Sequence, residues 1–170
     1  MNLHKFVRTV PNFPKDGIIF RDITPLLADI EAFNFAIDEM VVLSEQFRPD
    51  VIAGIESRGF LFGAPISLRL GLPFVPIRKE GKLPFEKTTV RYDLEYGNDI
   101  LEIHVDAFKA GQKVLLVDDL IATGGTFEAS SRLVGSLNAE VVGICVLIGL
   151  SGFGSKEFLS GRKVLSVLRF

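Results

Sequence analysis

VLLVDDLIATGGT, Val114 to Thr126, is the stretch on which the fold turns. Val114 to Val117 extend a continuous apolar run from Lys113, as expected of a strand buried on both faces of a parallel sheet. Asp118 and Asp119 close that run, and a glycine-rich turn then opens a helix predicted over Gly125–Leu137. Ligands of parallel-sheet proteins sit beyond the carboxyl ends of the strands. Gly124 and Gly125 let backbone N–H groups approach an anion, the helix N-terminus favours negative charge, and Thr123 and Thr126 offer hydroxyl donors. The turn suits a phosphate monoester. It lacks the GK[ST] ending of a Walker loop, and the chain has no GxGxxG dinucleotide fingerprint.

The two acids need a separate reason. Successive strand side chains face opposite ways, so Asp118 and Asp119 share a ligand only if the chain is already turning there, which is the geometry this reading requires. Carboxylates repel phosphate, yet they accept hydrogen bonds from vicinal hydroxyls and support magnesium. A ribose 5-phosphate carrying a further diphosphate would satisfy all these groups together. Taken as isolated pieces, the acids would merely cap the turn and the glycines end a strand.

Outward from this segment the pattern is α/β. Val141–Leu147 is a second apolar strand, which completes a β-α-β unit with a right-handed crossover. Upstream, spacing predicts an amphipathic helix over Glu31–Arg48, a strand at Val51–Ile55, a helix at Phe60–Leu70 ending before Gly71, and a strand at Phe74–Ile77. Thr88–Tyr96 and Asp99–Val105 alternate around Gly97 and Asn98 as a hairpin flap, and Lys163–Leu168 adds a last strand. The first 20 residues, rich in Pro and Gly, are expected to be an irregular lead-in. The architecture expected is a mainly parallel central sheet flanked by helices.

Composition agrees and excludes alternatives. The chain has 170 residues, 48% hydrophobic and 24% charged, and no repeat or linker, so one domain over 1–170 is expected. A net charge of −2 gives no global attraction to nucleic acid or to an anionic membrane. The longest apolar run, Val141–Leu150, is half the length of a spanning helix, and no signal-like segment opens the chain. A single Cys145 forms no intrachain disulfide or zinc cluster and reads as a core residue, so the cytoplasm is the expected compartment. In LEIHVD the alternation puts Glu102, His104 and Asp106 toward solvent, with Ile103 and Val105 inward.

The VLLVDDLIATGGT segment resembles the phosphoribosyl diphosphate signature of the type I phosphoribosyltransferases, and the wording DDLIATGGT is similar to their adenine branch. The related 6-oxopurine enzymes carry an aspartate at the position of Ala122, so its absence argues against hypoxanthine or guanine. The resemblance extends to FPKDGIIFRDITPLL (Phe13–Leu27), GIESRGF (Gly54–Phe60), IRKEGKLP (Ile77–Pro84), YDLEYG (Tyr92–Gly97) and, more loosely, LSGFGSKEF.

The resemblance implies a residue-by-residue assignment. Asp118, Asp119, Ala122, Thr123, Gly124, Gly125 and Thr126 would bind the phosphoribosyl group. Ser57, Arg58, Arg78, Lys79 and Lys82 would hold diphosphate, with a cis peptide at Glu56–Ser57. Ile19, Phe20 and Arg21 would read and stack on adenine, with Phe153 on its other face, and Glu95 would manage the proton at the base. Residues 1–30 would be the N-terminal base-recognition hood segment and lead-in, and 78–105 a flexible hood and flap. Magnesium would arrive on the substrate with no direct protein ligand, Asp118 and Asp119 touching it at most indirectly. The implied protein is a homodimeric salvage enzyme making AMP from adenine and 5-phosphoribosyl 1-diphosphate, without nucleic-acid or membrane partners. Two rivals differ in class. One is the same fold acting on xanthine or orotate. The other is a non-catalytic phosphoribosyl diphosphate sensor, for which the net charge leaves no basic DNA-binding face.

Overall fold

The computed structural model describes residues 1–94, 97–150, 158–159 and 161–170. A 3-10 turn at Leu3–Phe6 leads into β1 (Arg8–Pro11) and β2 (Ile19–Asp22), which pair antiparallel as a separate ribbon. The lead-in is therefore ordered, contrary to the sequence expectation. Its strands have four residues each, too short to show a period, and Pro14 and Gly17 fall in their connection, where Gly17 takes φ +82°.

Helices α1 (Thr24–Ala28) and α2 (Ile30–Glu45) follow, and the Asp29 carboxylate caps α2 by accepting from the N–H groups of Glu31 and Ala32. The buried stripe of α2 includes Ala32, Ala36, Ile37, Met40 and Ser44. The helix stops at Glu45 rather than Arg48. The residue before a proline is disfavoured in the α region, and Arg48, before Pro49, takes φ +47°.

The rest forms two β-α-β units around a hairpin. The first is β3 (Val51–Ile55), α3 (Gly59–Leu70) and β4 (Phe74–Lys79); the hairpin is β5 (Lys87–Leu94) and β6 (Gly97–His104). The second unit is β7 (Lys113–Ile121), α4 (Gly125–Ser136) and β8 (Glu140–Gly149), followed by β9 (Phe158–Leu159) and β10 (Arg162–Arg169). All join one eight-stranded sheet in the order β5-β6-β4-β3-β7-β8-β10-β9. The five central strands are parallel, and the hairpin and β9 add antiparallel edges.

The core lies on both faces of the sheet. α2 and α3 cover one face through Ile37, Met40, Phe62 and Ile66, and α4 covers the other through Phe127, Leu133 and Val134. β3 alternates between the two clusters, Val51, Ala53 and Ile55 facing one and Ile52 the other.

Three boundaries bear on function. β4 runs two residues past Ile77 because Arg78 and Lys79 pair with Glu102 and Leu101 of β6, so these cations sit on a strand and not in a loop. The hairpin pairs as far as Leu94 opposite Gly97, which puts Gly97 and Asn98 in the second strand rather than in its turn. The reading of LEIHVD holds for Ile103, which is buried, and for Asp106, which is exposed, but fails for the other three: Glu102 is 2% exposed, Val105 is 40% exposed, and His104 is half-buried with a buried Nε2. Alternation misleads here because β6 lies between β4 and β5, and the Phe85 ring packs edge-on against His104 at 6.0 Å.

Candidate active site

β3 connects through α3 to β4 on one side, and β7 connects through α4 to β8 on the other, so the order of strands reverses between β3 and β7. This is the switch point where open α/β sheets bind ligands, and the starts of α3 and α4 both open there. Past the end of β3, the Glu56–Ser57 peptide is cis, Ser57 is exposed and Arg58 stands at the N-cap of α3. Past the end of β7, Ala122 and Thr123 are exposed, and Gly124 caps α4 at φ +90°, a conformation that glycine adopts without a Cβ penalty.

Asp118 and Asp119 differ from expectation in one respect. The chain has not left the strand at them, for β7 pairs with β8 as far as Ile121 opposite Gly149. Instead the alternation slips: Val114 and Leu116 face one core cluster and Leu115 and Val117 the other, yet Leu120 packs with the second and Ile121 with the first. Pairing with β3 ends at Val117 opposite Gly54, which frees this segment on one side to slip. The reversal of sides falls between Val117 and Leu120, the segment that holds both acids.

The pair is charged against its surroundings. Asp119 is 3% exposed, and Arg58 Nη1 lies 2.9 Å from its Oδ2. Asp118 Oδ1 accepts the Asp119 N–H at 2.8 Å. Burial pushes the Asp118 carboxyl well above the usual carboxylate range, and repulsion from Asp119 adds to it. Burial raises Asp119 too, while Arg58 and the hydrogen bond from Asp118 pull it back. Gly59 makes this contact possible: a Cβ there would stand 2.7 Å from Val117 O and 3.1 Å from Asp118 Oδ1.

Arg58 links the acids to the ribbon. Its guanidinium carbon lies 5.4 Å from the centre of the Phe20 ring, which also meets Phe13 edge-on at 5.2 Å. Ile19 is 54% exposed, whereas Arg21 is half-buried, donates to Thr9 Oγ1 at 2.6 Å and lies 4.2 Å over the ring of Phe170. The residues assigned to base, diphosphate and ribose thus meet through one arginine.

The basic residues after β4 divide. Glu56 accepts from Arg78 Nε at 2.9 Å and from the Lys79 N–H at 2.8 Å, and the Arg78 bond holds its carboxyl below the usual range despite burial. The Lys79 ammonium is bound to Asp99 and lies 3.4 Å from Tyr92 Oη, which itself donates to Asp99 Oδ2 at 3.2 Å. Burial disfavours the Lys79 charge, but Asp99 and Tyr92 outweigh it and hold the ammonium above its ordinary value. Lys82 is exposed and has no ion pair among the described residues. Glu95 and Phe153 lie outside the described residues.

Sequence reasoning missed Glu56, Asp99, Glu102 and Phe170. All but Glu56 reach the site region only through tertiary pairing, which no local pattern announces. Glu56 stood inside the quoted GIESRGF motif but carried no spacing that singled out its carboxylate. Among the described residues no cluster of three or more His, Cys, Asp or Glu offers a metal cage. The donor set here is two adjacent carboxyls, one committed to Arg58, and it fits a hydrated magnesium ion delivered on a diphosphate better than a protein-held ion.

Comparison with known proteins agrees with this geometry. The family model for the phosphoribosyl transferase domain matches residues 26–159. The adenine phosphoribosyltransferase of Halothermothrix orenii is 51% identical over 99% of both chains, and that of Carboxydothermus hydrogenoformans 48% identical over 100% of both. The crystal structure of the Thermoanaerobacter pseudethanolicus adenine phosphoribosyltransferase superposes with a TM-score of 0.94 at 49% identity, covering 99% of this chain and 98% of that one. The Saccharomyces cerevisiae enzyme, complexed with an imino-altritol bisphosphate and adenine, gives 0.90 at 40% identity, covering 98% and 96%. With its acid pair, glycine turn and Arg58 gathered at the switch point and matches of this length on both sides, the chain belongs to the phosphoribosyl transferase domain family, in its adenine branch.

Proposed function

We propose that the protein transfers the phosphoribosyl group of 5-phosphoribosyl 1-diphosphate to N9 of adenine, giving AMP and diphosphate in purine salvage. The observation that carries this reading is Arg58, which touches both the buried Asp119 carboxylate and the Phe20 ring. A sugar bound between them would have its diphosphate at the guanidinium and its reacting carbon toward the base.

The residues divide the work. Ala122 to Thr126 and the start of α4 hold the 5-phosphate with N–H and hydroxyl donors. Asp118 and Asp119 accept hydrogen bonds from the ribose hydroxyls. Ser57, Arg58, Arg78, Lys79 and Lys82 surround the diphosphate, Lys82 as an exposed cation with no ion pair among the described residues. The backbone of Ile19 and Arg21 reads the base edge while Phe20 and Phe153 cover its faces; an amino donor beside a ring-nitrogen acceptor matches one carbonyl and one N–H, and a 6-oxo base reverses that pattern.

As the bond from the anomeric carbon to the diphosphate oxygen breaks, its electron pair leaves with the diphosphate and charge develops on the ribosyl centre. The bond from adenine N9 to that carbon then forms, and the N9 proton passes to Glu95, a transfer of the kind that contributes about 10²- to 10⁴-fold. Magnesium, held by the substrate's diphosphate, neutralises charge on the leaving group when bound.

Residues 1–30 and 78–105 act as the base-recognition hood segment and the flap of a single domain. The chain works as a homodimer in the cytoplasm. Leu61 and Leu68, two turns apart on α3 and 41% and 83% exposed, are the apolar side chains that a second subunit would cover. No described helix is long and apolar enough to cross a membrane.

Diphosphate release, measured with magnesium and 5-phosphoribosyl 1-diphosphate while adenine, hypoxanthine, guanine, xanthine and orotate are offered separately, tests the reading. Release with adenine alone, with AMP formed, is expected. Turnover with another base instead would overturn the assignments of Ala122 and Ile19 to Arg21, and sugar binding without turnover would point to a sensor.

A further inference from the structure

β4 ends at Lys79, and the chain reverses at once. The Lys82 N–H bonds to the Lys79 carbonyl at 3.3 Å, and Gly81, third in this four-residue turn, takes φ +76°, as a glycine in that position does. The next described strand, β5, starts at Lys87. Five residues, Lys82 to Glu86, therefore form a short strap between two fixed ends, and Lys82 is its exposed cation.

One carboxylate oxygen bonds at both ends, beside the pairing of Lys87 with His104 and the Val105 N–H on the Glu86 carbonyl at 3.1 Å. Glu102 Oε2 accepts the Gly81 N–H at 3.0 Å and the Lys87 ammonium at 2.9 Å. Glu102 stands on β6, opposite Arg78 of β4 on one side and Thr89 of β5 on the other. Its side chain is 3% exposed, against 31% for Lys87. A carboxylate this deep persists only when its charge is paired and hydrogen-bonded, and its two partners here flank the strap, one at each end.

We propose that Glu102 is a positioning residue for diphosphate binding, fixing the strap so that Lys82 is presented to the diphosphate of the sugar substrate. The inference rests on the proposed function for the identity of that substrate, but not for the role of the carboxylate. Glu102 reaches the diphosphate only through the strap. Its loss frees the Gly81 N–H and the Lys87 ammonium together and loosens the turn that carries Lys82, while the Lys87 backbone stays paired with His104. Arg78 and Lys79 stay where they are, because Glu56 and Asp99 hold them independently. The base subsite, built on β2, is untouched.

The test compares the wild-type chain with Glu102→Ala and Glu102→Gln. The glutamine keeps an acceptor for the Gly81 N–H and loses only the ion pair with Lys87. The KM for 5-phosphoribosyl 1-diphosphate is expected to rise at least tenfold in the alanine variant and about threefold in the glutamine variant. The KM for adenine should stay within twofold and kcat within threefold. Calorimetric titration with magnesium diphosphate alone should show the same order of weakened binding, and Lys82→Met should add little to Glu102→Ala. Equal changes in both KM values, or a lowered Tm with unchanged diphosphate affinity in the glutamine variant, would overturn the proposal and leave Glu102 a folding residue. If the wild type fails to turn over adenine while the titrations keep this order, the function reading falls and the role of Glu102 stands.

Discussion

Arg58 and Asp119 face each other at 2.9 Å beyond the last β3–β7 pair, the arginine side chain 39% exposed and the aspartate side chain 4%. The asymmetry decides what a mutation does. Truncating the arginine leaves a buried carboxylate without its partner, a change that costs about 2–5 kcal/mol where such pairs have been broken. Arg58→Ala should lower kcat/KM for the sugar diphosphate by on the order of 10²-fold or more, and Arg58→Lys should recover little because the planar fork is lost. The double variant Arg58→Ala with Asp119→Asn should regain Tm without regaining activity. Steady-state kinetics with thermal melts checks this, and recovery of both together would refute it.

Asp118 sets a pH dependence. Its folded-state carboxyl is raised well above the ordinary 3.8, so the folded chain keeps that proton longer than the unfolded chain does. The group favours the folded state fully below the ordinary value, and this contribution is lost as pH rises from there through the raised value. Asp118→Asn, which never ionises, should therefore melt higher than wild type at pH 8, by about 2–4 °C for each kcal/mol regained, with the gap closing toward pH 4. Melting curves at half-unit pH steps give the answer; a gap that widens in acid contradicts the assignment.

Activity should show the same titration from the other side. On the proposed assignment Asp118 and Asp119 accept from the ribose hydroxyls as carboxylates, so kcat/KM for the sugar diphosphate should fall on the acid limb at a pH above the ordinary carboxylate value, since burial raises both acids. A pH–rate profile whose acid limb lies at or below 3.8 would show that the pair ionises normally in the free enzyme.

Two glycines should behave differently on conversion to alanine. A Cβ at Gly59 meets the Val117 carbonyl at 2.7 Å and Asp118 Oδ1 at 3.1 Å, backbone and site together. At Gly143, opposite Leu115 in the β7–β8 ladder, the three nearest atoms all belong to the Phe47 ring. Overpacking costs about 1–3 kcal/mol in either place. Gly59→Ala should also raise the KM for the sugar diphosphate at least tenfold, whereas folded Gly143→Ala should keep it within twofold.

Cys145 should be silent. Burial pushes its thiol up to about 12, and its Sγ lies 3.7 Å from the Met40 carbonyl. A thiol reagent at pH 8 should label no cysteine in the folded chain and one after denaturant is added. Fast labelling of the native protein would mean the β8 core opens.

Several features were legible in the chain because their causes are local. The apolar runs at Val114–Val117 and Val141–Leu147 fix buried strands wherever they pack, and each strand proved longer only at its ends, where pairing with a neighbour carries it on. The glycine turn after Ile121 reads as an anion site because backbone donors and a helix start follow from residue type alone. Arg48 shows the limit: Pro49 was visible as a stop, but how far before it the helix ends depends on the conformation Arg48 takes.

What the sequence alone determined was the α/β architecture, the acid pair beside its glycine turn and the family motifs, since each rests on residue type and short-range spacing. The tertiary structure decided which charges those motifs have free. Burial and pairing depend on which strands become neighbours, so only the folded sheet turned Glu102 inward, gave Lys79 to Asp99, set Arg58 between Phe20 and Asp119, and left Lys82 exposed.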